Sequence, residues 1–141
     1  MKTVLLVEDS PDDAFMMEKA CQSAEIPHEL VHLTDGAEAI EYLSGKGDYG
    51  DRLKHRLPDL IFLDIRMPRV GGHEVLEWVR QQPSFQSLPV IMLTNSDHPK
   101  DIHRAYELGV TSYLLKTGDP VELIMGVRVI LKYWLCLNIV P

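Results

Sequence analysis

Short apolar runs divide the chain at intervals. Four such runs occur, and each holds only three or four residues, too few for an independent helix. For Leu60–Leu63, which Pro58 and Pro68 bound, continuous apolar character predicts a strand that is buried on both faces of a sheet. A fifth stretch, from His28 to Leu33, partly alternates between apolar and polar residues, which is typical of a strand nearer a sheet edge. The four apolar runs are Val4–Val7, Leu60–Leu63, Val90–Leu93 and Tyr113–Leu115.

The segments between these runs carry apolar residues at spacings of three and four, which predicts amphipathic helices. Ser10–Pro11, Asp35–Gly36 and Asp119–Pro120 are typical helix starts, and Ser96 or Asp97 is the expected cap of the fourth helix. The expected inward residues are Ala14, Met17, Cys21 and Ala24 in the first helix, Ala37, Ile40 and Leu43 in the second, Val75, Trp78 and Val79 in the third, and Leu123, Val127, Ile130 and Trp134 in the last.

Strand and helix patterns alternate five times, interrupted only by a glycine-rich, charged segment at residues 45–57 that predicts a loop. This alternation predicts an α/β fold with a doubly wound, five-stranded parallel sheet and helices on both faces. With 141 residues and 45% hydrophobic content, the chain is expected to form a single domain over residues 1–141.

Charge and composition narrow the possible functions. The net charge of −7 repels a phosphate backbone and argues against direct binding to nucleic acid. No apolar run reaches about 18 residues and no cationic signal segment opens the chain, so we expect a cytoplasmic protein without a membrane span. Neither Cys21 nor Cys136 belongs to a CxxC motif, and no two of the six histidines form a helical metal pair.

Acidic, hydroxyl and amine side chains stand at the ends of the predicted strands. Glu8 and Asp9 follow the first strand, Asp64 follows the third, and Thr94 and Lys116 follow the last two. Because parallel strands end at the same edge of a sheet, we expect these side chains to converge. Crowded carboxylates repel one another unless a hard cation neutralises them, and an all-oxygen set predicts Mg²⁺.

Taken alone, each of these residues has a simpler interpretation. Asp64 fits a turn after a strand, Lys116 fits a plain salt bridge, and Thr94 fits a strand-end cap. As a set beside metal ligands, an amine and a hydroxyl match what the oxygens of a transferring phosphoryl group need. The set therefore predicts phosphoryl transfer with Asp64 as the nucleophile.

The same residues give the chain a resemblance to the receiver domains of two-component response regulators. It rests on the pair Glu8–Asp9, on Asp64 in the context Leu-Asp-Ile-Arg-Met-Pro-Arg-Val-Gly-Gly, on Thr94 and on the segment Ser112–Lys116. The resemblance covers residues 3–135 and implies a flavodoxin-like sheet with strand order 2-1-3-4-5 and five helices.

The resemblance also implies a function for the strand-end acids. Asp64 would accept a phosphoryl group from a phosphohistidine of a sensor histidine kinase. Asp9 and Asp64, with the main-chain carbonyl of Arg66, would bind Mg²⁺, and Glu8 would act mainly through a water.

The remaining site residues are implied to hold and report the phosphoryl group. Thr94 and Lys116 would bind its oxygens, and a movement of Thr94 would let Tyr113 swing inward. Tyr113 equally fits an ordinary half-buried strand aromatic. The chain would catalyse only its own phosphorylation and dephosphorylation, so it is not expected to be an enzyme that acts on other substrates.

A narrower resemblance, to the small regulators paired with bacterial phytochromes, rests on the segments Val7–Ala14, Leu88–Thr94 and Tyr106–Thr117 and on the long loop before the third strand. It implies a phytochrome kinase as partner. Two residues depart from the family pattern: Thr117 stands where most receivers have proline, and Asn95 where many have a small residue. Either change could slow hydrolysis of the acyl phosphate.

No output domain is expected within residues 1–141, so a signal would leave through a surface. Apolar residues surround the last helix from Val121 to Leu137, more than one stripe against the sheet can bury. This pattern favours a homodimer or a docking face. The alternative is that the tail Asn138–Pro141 covers the helix.

Two other functions stay open from the sequence. A Mg²⁺-dependent phosphatase with an aspartate nucleophile usually carries a second acid two residues later, where this chain has Arg66. A degenerate receiver would act as an unphosphorylated interaction module, and the departures at Asn95 and Thr117 keep that function open.

Overall fold

In a computed structural model that describes all 141 residues, five strands and five helices alternate along the chain as predicted. A π-helical turn, Lys132–Leu137, continues the last helix, and no helix is both long and apolar enough to cross a membrane. The strands are β1 (Lys2–Val7), β2 (His28–Leu33), β3 (Leu60–Leu63), β4 (Val90–Thr94) and β5 (Ser112–Leu115), and the helices are α1 (Pro11–Ser23), α2 (Gly36–Ser44), α3 (Gly72–Gln81), α4 (Pro99–Glu107) and α5 (Pro120–Leu131).

All five strands pair in parallel in the order β2-β1-β3-β4-β5, which confirms the predicted topology. The registers place Leu5 beside Ile61 and Phe62 beside Ile91. The carboxyl ends of β1, β3 and β4 therefore lie within a few residues of one another. From β1 the chain winds first toward β2 and then back across β1 to β3. Side chains at the carboxyl ends of β1 and β3 therefore flank the point where the winding reverses, which is where open sheets of this kind bind ligands.

Each face of the sheet has its own core, because successive residues of a strand point to opposite faces. Leu5 and Val7 face one core, which α2, α3 and α4 cover. Val4 and Leu6 face the other, which α1 and α5 cover. β1, β3 and β4 are thus buried on both faces, as the apolar run Leu60–Leu63 predicted for β3, whereas the edge strand β5 is only half-buried.

The buried face of α2 differs from the predicted one. Ala39 and Tyr42 are buried in place of Ala37 and Ile40, which are half-buried. The sequence pattern missed Tyr42 because a tyrosine carries a polar hydroxyl. Here that hydroxyl donates a hydrogen bond to the carbonyl of Arg56 at 2.7 Å, so the ring is buried without an unpaired polar group.

The cap of α4 also differs from the prediction. His98, not Ser96 or Asp97, is the N-cap, and its Nδ1 accepts a hydrogen bond from the amide of Lys100 at 3.1 Å. Ser96 lies two residues earlier, where its Oγ accepts from the amide of His98 at 3.3 Å. A histidine with an unprotonated Nδ1 can replace the usual oxygen acceptor at this position.

The predicted loop at residues 45–57 is held against the end of α2. Arg52 donates hydrogen bonds of 2.8 Å to the carbonyls of Tyr42 and Leu43, which lie in the last turn of the helix. The same guanidinium also donates to the carbonyl of His55. One side chain therefore fixes the path of the loop that leads to β3.

One stripe of α5 and of the turn after it faces away from the protein. Its apolar residues recur at every fourth position, and their exposure ranges from 48% at Tyr133 to 68% at Val129. The tail does not cover them, since Ile139 and Val140 are themselves exposed. We call these residues the α5 stripe: Val121, Met125, Val129, Tyr133 and Leu137.

Arg80 connects α3 to the loop before β4 and the loop before β5, at the opposite end of the sheet from the strand-end acids. Its guanidinium donates to the carbonyls of Gly109, Phe85 and Leu88 at 2.8–2.9 Å and to the hydroxyl of Thr111. No carboxylate pairs with it, and burial lowers its pKa. The forked geometry of the guanidinium satisfies the backbone carbonyls of two loops at once.

We expect Arg80→Ala to lower the free energy of unfolding by about 2 to 4 kcal/mol, because three loop carbonyls lose their charged donor. Arg80→Lys should recover only part of this loss, since an ammonium cannot span the same acceptors. Arg104→Ala, which removes an exposed arginine from α4, should change stability by less than about 0.5 kcal/mol. Denaturant titration monitored by circular dichroism measures all three, and full stability of Arg80→Lys would contradict the proposed geometry.

Candidate functional site

Asp64 directly follows β3 and is almost completely buried, with 9% of its surface exposed. Its amide donates to the carbonyl of Val7 at 3.1 Å, which extends the β1–β3 pairing by one residue. The carboxylate oxygen Oδ1 accepts from the amide of Ile65 at 2.8 Å. Gly72 allows the chain to return close by, because a Cβ there would overlap the carbonyl of Asp64.

Glu8 and Asp9 follow β1, beside the end of β3. Glu8 is buried, with 1% of its surface exposed, whereas Asp9 is exposed. The amide of Glu8 donates to the carbonyl of Leu33 at 3.0 Å, and its Oε2 accepts from the amide of Ser10 at 3.2 Å. One carboxylate oxygen from each of Glu8, Asp9 and Asp64 lies within 4.8 Å of the other two. These three residues are called the acidic cluster below.

Thr94 and Lys116 come from the neighbouring strands. Thr94 ends β4 and is buried, and its Oγ1 accepts from the amide of Ser96 at 3.3 Å. Lys116 follows β5, and its amide donates to the carbonyl of Thr94 at 2.8 Å. This backbone bond places the start of the lysine side chain beside the threonine.

The ammonium of Lys116 lies among three carboxylates. It forms ion pairs with Oε1 of Glu8, with Oδ2 of Asp13 at 2.9 Å and with Oδ2 of Asp64 at 3.5 Å. The structure thus brings Glu8, Asp64 and Lys116 together as the sequence predicted. The acid from α1, Asp13, was not predicted.

Burial and charge shift the pKa values of this group in a consistent way. Burial raises the pKa of Glu8 to about 7, and the hydrogen bond from Lys116 opposes this only in part. Burial lowers the pKa of Lys116, but hydrogen bonds to Glu8 and Asp13 and the charge of Asp64 outweigh it, so the net shift is upward. The lysine therefore stays charged, while the pKa of Glu8 lies well above its ordinary value of 4.5.

Arg66 contributes its backbone and its side chain in different places. No backbone amide donates to its carbonyl oxygen, which lies in the loop after Asp64. Its guanidinium is exposed and lies 3.3 Å from Oδ2 of Asp101 on α4. The side chain therefore points toward α4.

Tyr113 connects β5 to the loop after β4. Its hydroxyl donates to the carbonyl of Ser96 at 2.7 Å, and its ring is half-buried against the core that α2, α3 and α4 cover. Ser96 is also the residue whose amide bonds to Thr94, and its Oγ donates to Asp101 at 2.5 Å. A single loop residue thus contacts the hydroxyl of Thr94, the ring hydroxyl of Tyr113 and the start of α4.

The two departures from the family pattern lie side by side. Asn95 and Thr117 both line a small cavity next to Lys116. The hydroxyl of Thr117 accepts from the amide of Asp119 at 3.3 Å, and Gly118 between them has φ of 78°, a value that favours glycine. The loop without proline still presents the lysine to the acidic cluster.

Sequence reasoning missed two residues that contact the site. Asp13 stands in the first turn of α1, where an acid is already expected to favour the helix dipole, so nothing marked it as a partner of Lys116. His32 on β2 donates through Nε2 to the carbonyl of Glu8 at 2.7 Å. Only the observed register, which pairs His32 with Leu6, two residues before Glu8, places the ring there, and no signal in the sequence indicated it.

The acidic cluster suits a divalent cation. Its donors are all carboxylate oxygens, and the free carbonyl of Arg66 follows Asp64 by two residues. Hard cations prefer such oxygen ligands. A buried carboxylate beside a cation site, an ammonium and a hydroxyl can act as a nucleophile toward a phosphoryl group.

Known proteins of the same shape and sequence pattern support this chemistry. The chain is 37% identical to the response regulator Rcp1 of Synechocystis over 134 residues, which is 95% of this chain and 89% of Rcp1. It superposes on the Mn²⁺-bound form of Rcp1 with a TM-score of 0.89 and 35% identity, covering 100% of this chain and 99% of that one. The phosphorylated cyanobacterial phytochrome response regulator RcpA gives a TM-score of 0.91 and 34% identity, covering 99% and 98% of the two chains.

The family model of the response regulator receiver domain matches residues 4–128. This range includes every residue of the acidic cluster, Thr94 and Lys116, and it agrees with the resemblance over residues 3–135 that the sequence indicated. The chain therefore belongs to the family of response regulator receiver domains.

Proposed function

We propose that residues 1–141 act as one receiver unit that takes a phosphoryl group onto Asp64 from a phosphohistidine of a sensor histidine kinase in the cytoplasm. The reaction requires Mg²⁺, and the phosphorylated form signals by contact with other proteins. The observation that carries the proposal is the buried Oδ2 of Asp64, 3.5 Å from the ammonium of Lys116 and within the acidic cluster.

Mg²⁺ is the proposed cation. Asp9, Asp64 and the main-chain carbonyl of Arg66 would bind it, and Glu8 would act mainly through a water. When bound, the cation would neutralise the charge that the carboxylates and the incoming phosphoryl oxygens bring together. The oxygen donors of the acidic cluster and the free carbonyl of Arg66 support this assignment.

The chemical step uses the carboxylate of Asp64. Its oxygen attacks the phosphorus, an O–P bond forms while the P–N bond to the kinase histidine breaks, and the electron pair of that bond returns to the imidazole. Lys116 and the hydroxyl of Thr94 hold the phosphoryl oxygens as they move in line. Positioning and charge neutralisation are the contributions of the protein.

The proposed switch begins at Thr94. When its Oγ1 turns toward the phosphoryl group, it leaves the amide of Ser96, and the loop that anchors the hydroxyl of Tyr113 shifts with it. Tyr113 then moves inward and changes the surface formed by α4 and β5. The present bonds of Ser96 to Thr94 and Tyr113 support a coupled movement of these residues.

A phytochrome-type kinase is the proposed partner. The support is the likeness over nearly the full chain to Rcp1 and to the phytochrome response regulator RcpA. We propose no turnover of outside substrates. The side chain two residues after Asp64 is that of Arg66, whose exposed guanidinium pairs with Asp101. A guanidinium cannot act as a general acid. The negative net charge favours protein partners over nucleic acid.

The α5 stripe is the proposed homodimer face. Its five exposed apolar residues form one row along the helix, which the tail does not cover. Paired rows from two copies would remove this surface from water in a symmetric contact.

The first prediction of this proposal concerns the acceptor. Incubation with acetyl phosphate and Mg²⁺ should raise the intact mass by about 80 Da, the mass of one phosphoryl group. Asp64→Asn and chelation of the metal should each abolish the gain, while Asp48→Asn, which changes an exposed loop aspartate, should leave it intact. A gain of mass in Asp64→Asn would disprove the assignment of the acceptor.

The second prediction concerns pH. The pKa of Glu8 is raised from its ordinary value of 4.5 to about 7. Between these two pH values the folded protein therefore holds a proton on Glu8 that the unfolded chain has lost. The stability that this proton contributes is present below pH 4.5 and is lost as the pH rises toward 7.

Thermal unfolding without metal should therefore show stability that falls from about pH 5 to about pH 8 in the wild type relative to Glu8→Gln, which cannot titrate. Mg²⁺ should stabilise the wild type more at the higher pH, because it binds the carboxylate form. Glu77→Gln, an exposed change on α3, should keep the wild-type profile. Identical pH profiles for the wild type and Glu8→Gln would rule out the raised pKa.

The third prediction concerns the dimer. Val129→Glu should raise the dimer dissociation constant by at least about tenfold, because it places a charge in the middle of the α5 stripe. Val140→Glu, at a similarly exposed valine of the tail, should not change it. Sedimentation velocity over a concentration series measures both variants, and a wild-type protein that stays monomeric throughout would refute the dimer.

A further inference from the structure

Lys116 has one anionic partner outside the acidic cluster. Glu8 and Asp64 belong to the cluster, but Asp13 lies on α1 and is not part of it. Lys116 is thus shared between the proposed cation site and a helix beside it.

The ammonium and a divalent cation compete for the same oxygens. In the structure Lys116 bonds to Oε1 of Glu8 and lies 3.5 Å from Oδ2 of Asp64. A cation bound by the cluster draws on these carboxylates and repels the ammonium. The cation therefore binds more weakly when no other anionic group can accept the ammonium.

Asp13 is fixed in a position to receive the ammonium. The Oγ of Ser10 accepts from the amide of Asp13 at 3.3 Å, which caps α1 and orders its first turn. Oδ2 of Asp13 lies 2.9 Å from the Lys116 nitrogen, nearer than Oδ2 of Asp64. Its side chain is 33% exposed, so pairing there costs less dehydration than pairing deeper in the cluster.

Space for the movement exists on the same side. A cavity of about 70 Å³ lies between α1 and the loop after β5, and both Asp13 and Lys116 line it. Met17 and Leu123 form part of its apolar wall. The cavity therefore leaves open space beside Lys116 on the side of α1.

We propose that Asp13 is a positioning residue that draws the ammonium of Lys116 toward α1 and so raises the affinity of the acidic cluster for its divalent cation. This inference rests on the proposed function, since it concerns the same cation site. Asp13 acts through Lys116 and does not itself bind the cation.

The test is titration of the purified protein with Mn²⁺ alone, with free Mn²⁺ measured by its electron paramagnetic resonance signal at physiological ionic strength. Asp13→Asn should raise the dissociation constant about three- to tenfold, as expected for loss of a partly exposed ion pair. Asp12→Asn is the matched control. It removes the same charge from the neighbouring residue of α1, which is exposed and forms no ion pair, and should change the constant by less than about twofold.

The same pair of substitutions in a Lys116→Gln background separates positioning from simple charge loss. Without the ammonium, Asp13→Asn should weaken Mn²⁺ binding no more than Asp12→Asn does. Equal effects of Asp12→Asn and Asp13→Asn in the wild-type background would overturn the inference. So would a penalty of Asp13→Asn that persists in Lys116→Gln.

An Asp9→Asn variant distinguishes failure of the inference from failure of the proposed function. If the wild type binds Mn²⁺ and Asp9→Asn does not, the cation site stands, and the Asp13 variants alone decide the inference. If the wild type and Asp9→Asn bind Mn²⁺ equally or not at all, the proposed cation site and the inference that depends on it are both wrong.

Discussion

The constraint on which the site depends is the cost of burying carboxylates without positive charge. Glu8 and Asp64 are almost fully enclosed, and the one cation near them in the structure is the ammonium of Lys116. That lysine starts at edge strand β5, yet its nitrogen reaches the acid that follows β1, across the ends of β4 and β3. The sheet order, the loop after β5 and the length of the lysine side chain must all agree for this charge balance to exist.

Three positive species meet at the same oxygens: a proton, an ammonium and a divalent cation. Burial favours the proton on Glu8, whose pKa rises to about 7. The ammonium opposes that proton by bonding to the carboxylate, and a metal would oppose both. The state of the cluster is therefore a balance among the three, and the ammonium also pairs with a group outside the cluster, Asp13 on α1.

The sequence was sufficient for the fold because four of the five strands are short apolar runs and three of the five helices begin at the caps that it indicated, Ser10, Asp35 and Asp119. It also indicated the strand-end residues, since parallel strands end at one edge whatever the details of packing. It did not indicate Asp13, which meets Lys116 over a separation of 103 residues. Contacts of this kind depend on how the first turn of α1 is oriented over the sheet, and no local pattern encodes that orientation. His98 as the cap of α4 was missed for a different reason. Nδ1 of a histidine accepts a hydrogen bond only in the tautomer that carries its proton on Nε2.

The loop Thr117–Asp119 is the whole covalent link between Lys116 and the first residue of α5, Pro120. Its middle residue, Gly118, is at a positive φ that few other residues adopt, and Asp119 is locked as the cap of α5 by accepting from the amide of Val121. In this short link Gly118 is the residue whose backbone can rotate most freely. A displacement of the Lys116 backbone has to be absorbed at Gly118 or passed to the axis of α5, the helix whose outer side carries the α5 stripe.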